Sequence, residues 1–236
     1  MPTWPVSGPS KYAFGVIDAD AVMLDLYDTV ADGAWGDLTQ FIIDRIGVDQ
    51  ETLFDAFDET HPARSIGAFG SAEGDIAAVI RACGVEPGPT VVAELIAMER
   101  EVLPARVRLY DDVLPLLRAL REKNVSTALV SNCSHSTRPI VDALGLEAEF
   151  DAVLLSFEIG AAKPDAAIYY EALDRLGGVS PERAIFVDDQ ADYCDGASAL
   201  GIRALLILRD EADPMEEWAA EANGRAVIHD LRSLLV

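Results

Sequence analysis

Ala21-Val22-Met23-Leu24-Asp25-Leu26-Tyr27-Asp28-Thr29 is the stretch on which the fold turns. Its first six residues are an apolar run broken only by Asp25. A short continuous apolar run reads as a strand buried on both faces. A carboxylate inside such a run is costly unless it is paired or put to use. Asp25 is therefore a candidate chemical group rather than a packing residue.

Outward from this strand the chain has two different textures. Residues 1 to about 18 carry Pro2, Pro5 and Pro9 and read as an arm. Residues 32 to 106 contain no strand-like run. Helical stripes run through Asp37–Ile46 (Leu38, Phe41, Ile42, Ile46), Glu51–Phe57, Glu73–Arg81 and Val91–Leu103 (Val92, Leu95, Ile96, Glu99, Val102). Beyond 106 the texture alternates. Helices are predicted at Val113–Leu120, Thr137–Leu144, Ala166–Leu176 and Gly196–Leu200, and Pro115 falls in the first turn of the first of these. Strands are predicted at Val125–Val130, Ala152–Leu155, Ala184–Val187, Ala204–Leu208 and Ala226–Ile228. Alternating strands and helices imply right-handed crossovers and a parallel sheet covered on both faces. The predicted fold class is α/β, a doubly wound parallel sheet with an inserted all-helical cap subdomain. Residues 1–31 and 107–236 form the expected core, and 32–106 the expected cap.

Composition narrows the function. The chain has 236 residues, 50% hydrophobic and 25% charged, which excludes an intrinsically disordered protein. No run of about 18 apolar residues occurs, so no transmembrane helix is expected. Met1–Ser10 has no Lys or Arg and no apolar core, unlike a secretory signal. A formal net charge of −23 argues against nucleic acid and anionic membranes as partners. A small anionic substrate would need a local positive field, and the lysines are only Lys11, Lys123 and Lys163. Cys83, Cys133 and Cys194 are too few and scattered for a disulfide framework or zinc site, and fit a reducing cytoplasm. A monomer or homodimer is expected.

Ligands of such sheets bind beyond the carboxyl ends of the strands. Those ends read Asp25-Leu26-Tyr27-Asp28-Thr29, Ser131-Asn132, Lys163-Pro164 and Asp188-Asp189. An acidic cluster of this kind can hold a hard divalent cation through oxygen. A lysine offsets the remaining charge, and a hydroxyl with helix amides can grip an anion.

These four motifs, in this order and with a helical block between the first two, resemble the haloacid dehalogenase (HAD) superfamily of aspartate-nucleophile hydrolases. The resemblance runs from Ala21 to about Leu208 and includes Asp195-Gly196-Ala197-Ser198-Ala199-Leu200-Gly201-Ile202, which is similar to the helix after the family's acidic motif. It implies that Asp25 is the nucleophile, that Ser131 and the amide of Asn132 bind the transferring group, and that Lys163 bridges Asp25 and substrate. It further implies a Mg²⁺ site made by Asp25, the carbonyl of Tyr27, Asp189 and Asp188, the last either a ligand or a support.

One position departs from the family's phosphatases. They carry Asp two residues after the nucleophile, on the same strand face, as general acid and base. Tyr27 stands there, and a phenol with a pKa of about 10 is a poor base, although it can donate a proton. Asp28 or Asp32 could substitute by turning in the loop. Tyr27 is similar to the L-2-haloacid dehalogenase branch, which needs no metal. That branch usually has Ser-Ser-Asn where this chain has Asp188-Asp189-Gln190, and an Arg-containing cap stretch with no match here. Adjacent carboxylates repel without a cation between them. The expected activity is thus a Mg²⁺-dependent phosphatase of a small phosphomonoester. The alternatives are a metal-independent haloacid dehalogenase and a non-catalytic binding module.

In the predicted cap, Arg64 is the candidate substrate contact, placed in a loop from His61 to Gly70. His135 could reach the site from the loop after its strand. Asp192 and Asp195 are candidate supports for a metal, Cys133 and Cys194 are read as core, and Glu216, Glu217 and Glu221 as a solvated helix face.

Overall fold

A computed structural model describes residues 18–33, 36–209 and 223–235. Most of the predicted arm, and Glu216, Glu217 and Glu221, lie outside these residues. The core is a six-stranded sheet in the order β5-β4-β1-β6-β7-β8. Its strands are β1 (Ala21–Leu24), β4 (Ser126–Ser131), β5 (Ala152–Leu155), β6 (Ala184–Asp188), β7 (Arg203–Ile207) and β8 (Ala226–Ile228), and every pairing is parallel. The doubly wound α/β architecture is as expected. The chain winds outward in both directions from β1, so the switch point lies at the strand carrying Asp25.

Alternation along the strands builds two layers. Val22 and Leu24 pack on one side with Val113, Leu116, Leu117 and Leu120 of α5 (Val113–Glu122). Ala21 and Met23 pack on the other with Ile168, Tyr169, Ala172 and Leu173 of α9 (Ala166–Arg175). Burial of each large side chain stabilises by roughly 1.5–3 kcal/mol.

Between Asp32 and Arg108 the described residues form four helices, α1 (Gly36–Ile46), α2 (Gln50–Ser65), α3 (Ala72–Ala82) and α4 (Pro89–Arg106). Asp49 and Ser71 cap α2 and α3 by accepting from Thr52 N (2.8 Å) and Gly74 N (3.1 Å). A two-stranded antiparallel ribbon, β2 (Ala31–Asp32) with β3 (Arg108–Leu109), joins this insertion to the core. The sequence pattern misses the ribbon, because two residues per strand carry no periodicity.

Three further boundaries differ. Helix α2 continues past Phe57 through Pro62 to Ser65, because Leu53, Ala56 and Thr60 extend its buried stripe. This corrects the placement of Arg64, which lies in the last helical turn and not in a loop. Helix α10 (Ala191–Ala199) begins five residues before Gly196, where the sequence pattern starts it. Gly196 sits mid-helix because a Cβ there would come within 2.7 Å of the Pro164 ring. The short helices α7 (Leu146–Glu149) and α8 (Ser156–Ile159) flank β5, and α6 (Arg138–Ala143) follows a 3-10 turn at His135–Thr137.

Candidate active site

Asp25 leaves the ladder just beyond β1, with its N–H still bonded to Val187 O at 3.0 Å. The next turn is tight. Val30 N and Ala31 N both donate to Leu26 O, and Asp28 takes a left-handed conformation at φ 55°. That turn leaves Asp28 exposed and Thr29 buried.

Lys163 reaches the rim from the segment after α8. Its Nζ lies 2.5 Å from Asp25 Oδ1 and 2.6 Å from Asp188 Oδ2, and its side chain is fully buried. The rings of Phe186 and Tyr193 stand 5.4 and 5.1 Å from the ammonium. Burial alone would lower the Lys163 pKa, but Asp25 and Asp188 outweigh it and hold the ammonium above the ordinary lysine range. Asn132 fixes this lysine from behind. Its Oδ1 accepts from Lys163 N at 2.7 Å and its Nδ2 donates to Lys163 O at 2.8 Å. The Asn132 side chain is thus committed to the Lys163 backbone.

Asp25, Asp188 and Asp189 offer carboxylate oxygens that all lie within 4.8 Å of one another. Burial pushes Asp25 up to about 7, with Lys163 opposing and Asp188 adding to the rise. Burial and then Asp25 push Asp189 up to about 6. Asp188 is raised by burial against the pull of Lys163, and its Oδ1 accepts from Gln190 N at 2.8 Å. Three carboxylates thus share one ammonium. The donor set is all hard oxygen and negatively charged, which fits a divalent cation of the Mg²⁺ kind. Ser131 ends β4 buried, and its Oγ has no hydrogen-bond partner.

The other candidates fall elsewhere. Tyr27 is half-buried, and its hydroxyl lies 3.0 Å from Thr137 Oγ1; burial holds the phenol far above its ordinary pKa. Arg64 is used inside the insertion: Nε donates to Thr60 Oγ1 (3.0 Å), Nη2 to Phe57 O (2.9 Å), and the group lies over the Phe57 ring. Asp195 is exposed, pairs with Arg225 at 2.5 Å, and does not join the group of Asp25, Asp188 and Asp189. Burial pushes the Cys133 thiol up to about 12, which keeps it protonated and unreactive.

Sequence reasoning overlooks a second polar cluster. Three consecutive residues each receive a side chain from a different element. His135, through its N–H (3.2 Å) and Nδ1 (2.8 Å), meets Asp75 Oδ2 of α3. Ser136 donates to Glu99 Oε2 of α4 at 2.9 Å. Thr137 meets Tyr27. Burial pushes Glu99 up to about 7. The signal for Glu99 is in the sequence, since it occupies a position of the apolar stripe of α4. Nothing local announces Asp75.

Comparison with known proteins adds to this geometry. The family model of haloacid dehalogenase-like hydrolases matches residues 19–201. A glyceraldehyde 3-phosphate phosphatase of Methanopyrus kandleri is 34% identical over 140 residues, 58% of this chain and 60% of that protein. Phosphatase MT3486 of Mycobacterium tuberculosis is 37% identical over 102 residues, 42% of this chain and 46% of that protein. The chain thus spans about half the length of these curated relatives. A solved dehalogenase structure superposes with a TM-score of 0.62 at 23% identity, covering 93% of this chain and 95% of that one, and shares the fold. The chain belongs to the haloacid dehalogenase-like hydrolase family.

Proposed function

We propose that this family member is a Mg²⁺-dependent phosphatase of small phosphomonoesters that works through a covalent ester on Asp25. The observation that carries the reading is the meeting of Asp25, Asp188 and Asp189 within 4.8 Å around one lysine. Asp25, Asp189 and the Tyr27 carbonyl would hold the metal, with Asp188 anchored beside them by Lys163 and Gln190. The bound ion would screen phosphate charge and polarise the phosphoryl oxygens.

In the first step an Asp25 carboxylate oxygen attacks phosphorus, the P–O bond to the leaving group breaks, and the departing alkoxide takes up a proton. In the second, water attacks the aspartyl phosphate, inorganic phosphate leaves, and the carboxylate is regenerated. Lys163 orients Asp25 and offsets the negative charge of the phosphoryl group. Ser131 Oγ, buried and without a partner, is free to donate to a phosphoryl oxygen, with the Asn132 N–H beside it. Residues 32–106 act as the cap that covers the site and sets specificity. The names of the two phosphatase relatives support the same chemistry.

Tyr27 favours a second reading, displacement of halide from a 2-haloacid by Asp25 without metal. A phosphomonoester panel and 2-chloropropionate, each with and without EDTA, separate the two. The phosphatase reading expects phosphate release that EDTA abolishes and no chloride release. EDTA-resistant chloride release, with no phosphate from the panel, would overturn it.

A further inference from the structure

We propose that Arg209 is a positioning residue, which ties the nucleophile loop to both strands that join the helical insertion to the core. The proposal rests on the reading of Asp25 as nucleophile. Arg209 follows β7 at the carboxyl edge of the sheet, and its guanidinium reaches three places. Nη2 donates to the Thr29 carbonyl, four residues after Asp25. Nη1 lies 2.6 Å from Asp112 Oδ2, just after β3. The guanidinium carbon stands 4.0 Å from the centre of the Tyr110 ring. Tyr110 N in turn donates to Val30 O at 3.1 Å, and Asp112 Oδ2 also accepts from Leu231 N at 2.7 Å.

The strands need such a tie. The β2–β3 ribbon has only the pairs Ala31–Leu109 and Asp32–Arg108, too little to hold a fixed geometry alone. A planar fork that bonds two acceptors while stacking on a ring is a task for arginine, and lysine cannot reproduce it. The knot is also incompletely paired. Thr29 Oγ1, Asp112 Oδ1 and Arg209 Nε are buried without a partner, three of five such atoms among the described residues. Arg209 therefore transmits the placement of the insertion's two connections to the loop that presents Asp25 and the Tyr27 carbonyl.

The test compares Arg209→Ala and Arg209→Lys with the wild-type protein. It reads steady-state kinetics on the best phosphomonoester, and amide hydrogen exchange of the substrate-free protein. Loss of the tie is expected to lower kcat about 10- to 100-fold, as small misplacement of a reacting group does, with KM within about threefold. Exchange should rise together in 26–32 and 108–112 and stay unchanged in 126–131 and 184–188. Lysine, despite its charge, should restore little of kcat. If Arg209→Ala does not fold, Tyr110→Leu, which removes only the stacked ring, should raise exchange in the same two segments. The proposal fails if kcat is unchanged, if lysine restores it, if only one segment loosens, or if the whole sheet loosens. Should the wild-type protein hydrolyse no phosphomonoester, the function reading fails separately, and the exchange pattern alone decides the role of Arg209.

Discussion

The rim and the seam of this molecule both bury carboxylates and raise their pKa by burial, and they differ in the partner each supplies. At the rim Asp25, Asp188 and Asp189 surround one lysine, held at 2.5 and 2.6 Å from the first two. Burial pushes Asp25 up to about 7 and Asp189 up to about 6, and the single ammonium opposes that rise. At the seam Glu99 accepts from Ser136 Oγ at 2.9 Å, and burial pushes it up to about 7. Asp75 there leans on His135, and its Oδ1 has no partner. The rim gives its carboxylates a buried counter-ion, whereas the seam gives Glu99 a neutral hydroxyl, so removing a partner should cost most at the rim.

The largest test of this contrast is Asp25→Asn. Removing the nucleophile while keeping its shape should lower kcat on the order of 10⁴- to 10⁶-fold with the fold intact, checked by steady-state rates and circular dichroism. Retained turnover would remove Asp25 from that role. Lys163→Ala comes next. It strands Asp25 and Asp188 without their counter-charge, so urea unfolding should show a loss of about 3–5 kcal/mol along with lost turnover. Unchanged kinetics would mean that the lysine does not serve the site.

Glu99→Gln should have a smaller, pH-dependent effect. The groups facing Glu99 are Ser136 from the turn, Asp75 from α3, Arg64 from α2 and Arg100 on its own helix. Its folded pKa of about 7 lies above the ordinary 4.5, so between these values the folded state holds more protons than the unfolded one. Stability from this group is therefore full below about pH 4.5 and is lost as pH rises to about 7, by at most about 3 kcal/mol. Glutamine removes that slope, so the variant should gain on the wild-type protein between pH 5 and 8 in urea midpoints. A difference independent of pH would contradict a neutral seam. The smallest effect is expected for Asp195→Asn. It breaks an exposed pair with Arg225, worth less than about 1 kcal/mol, and should leave any metal dependence of activity unchanged.

Much of the rim was legible because each group ends a periodic segment: Asp25 after β1, Ser131 in β4, Asp188 and Asp189 after the Ala184–Val187 run. The parallel sheet followed from the same alternation. The seam was not legible, because Asp75 and His135 are 60 residues apart in sequence and meet only through packing. Glu99 was half legible, as a charged residue on an apolar stripe. The ribbon and the Arg209 knot escaped because short strands and a single arginine have no pattern to read. Gly196 misled, since its close contact with Pro164 is a tertiary fact that mimics a helix boundary.

The central claim is that Asp25 carries a covalent ester during turnover. Acid quench of the protein with a hydrolysed phosphomonoester, followed by borohydride reduction and peptide mass mapping, tests it directly. An acyl phosphate on an aspartate is reduced to homoserine, so the account predicts homoserine at position 25 and nowhere else. An unmodified Asp25 in a sample that is turning over, or the label on another side chain, would contradict it.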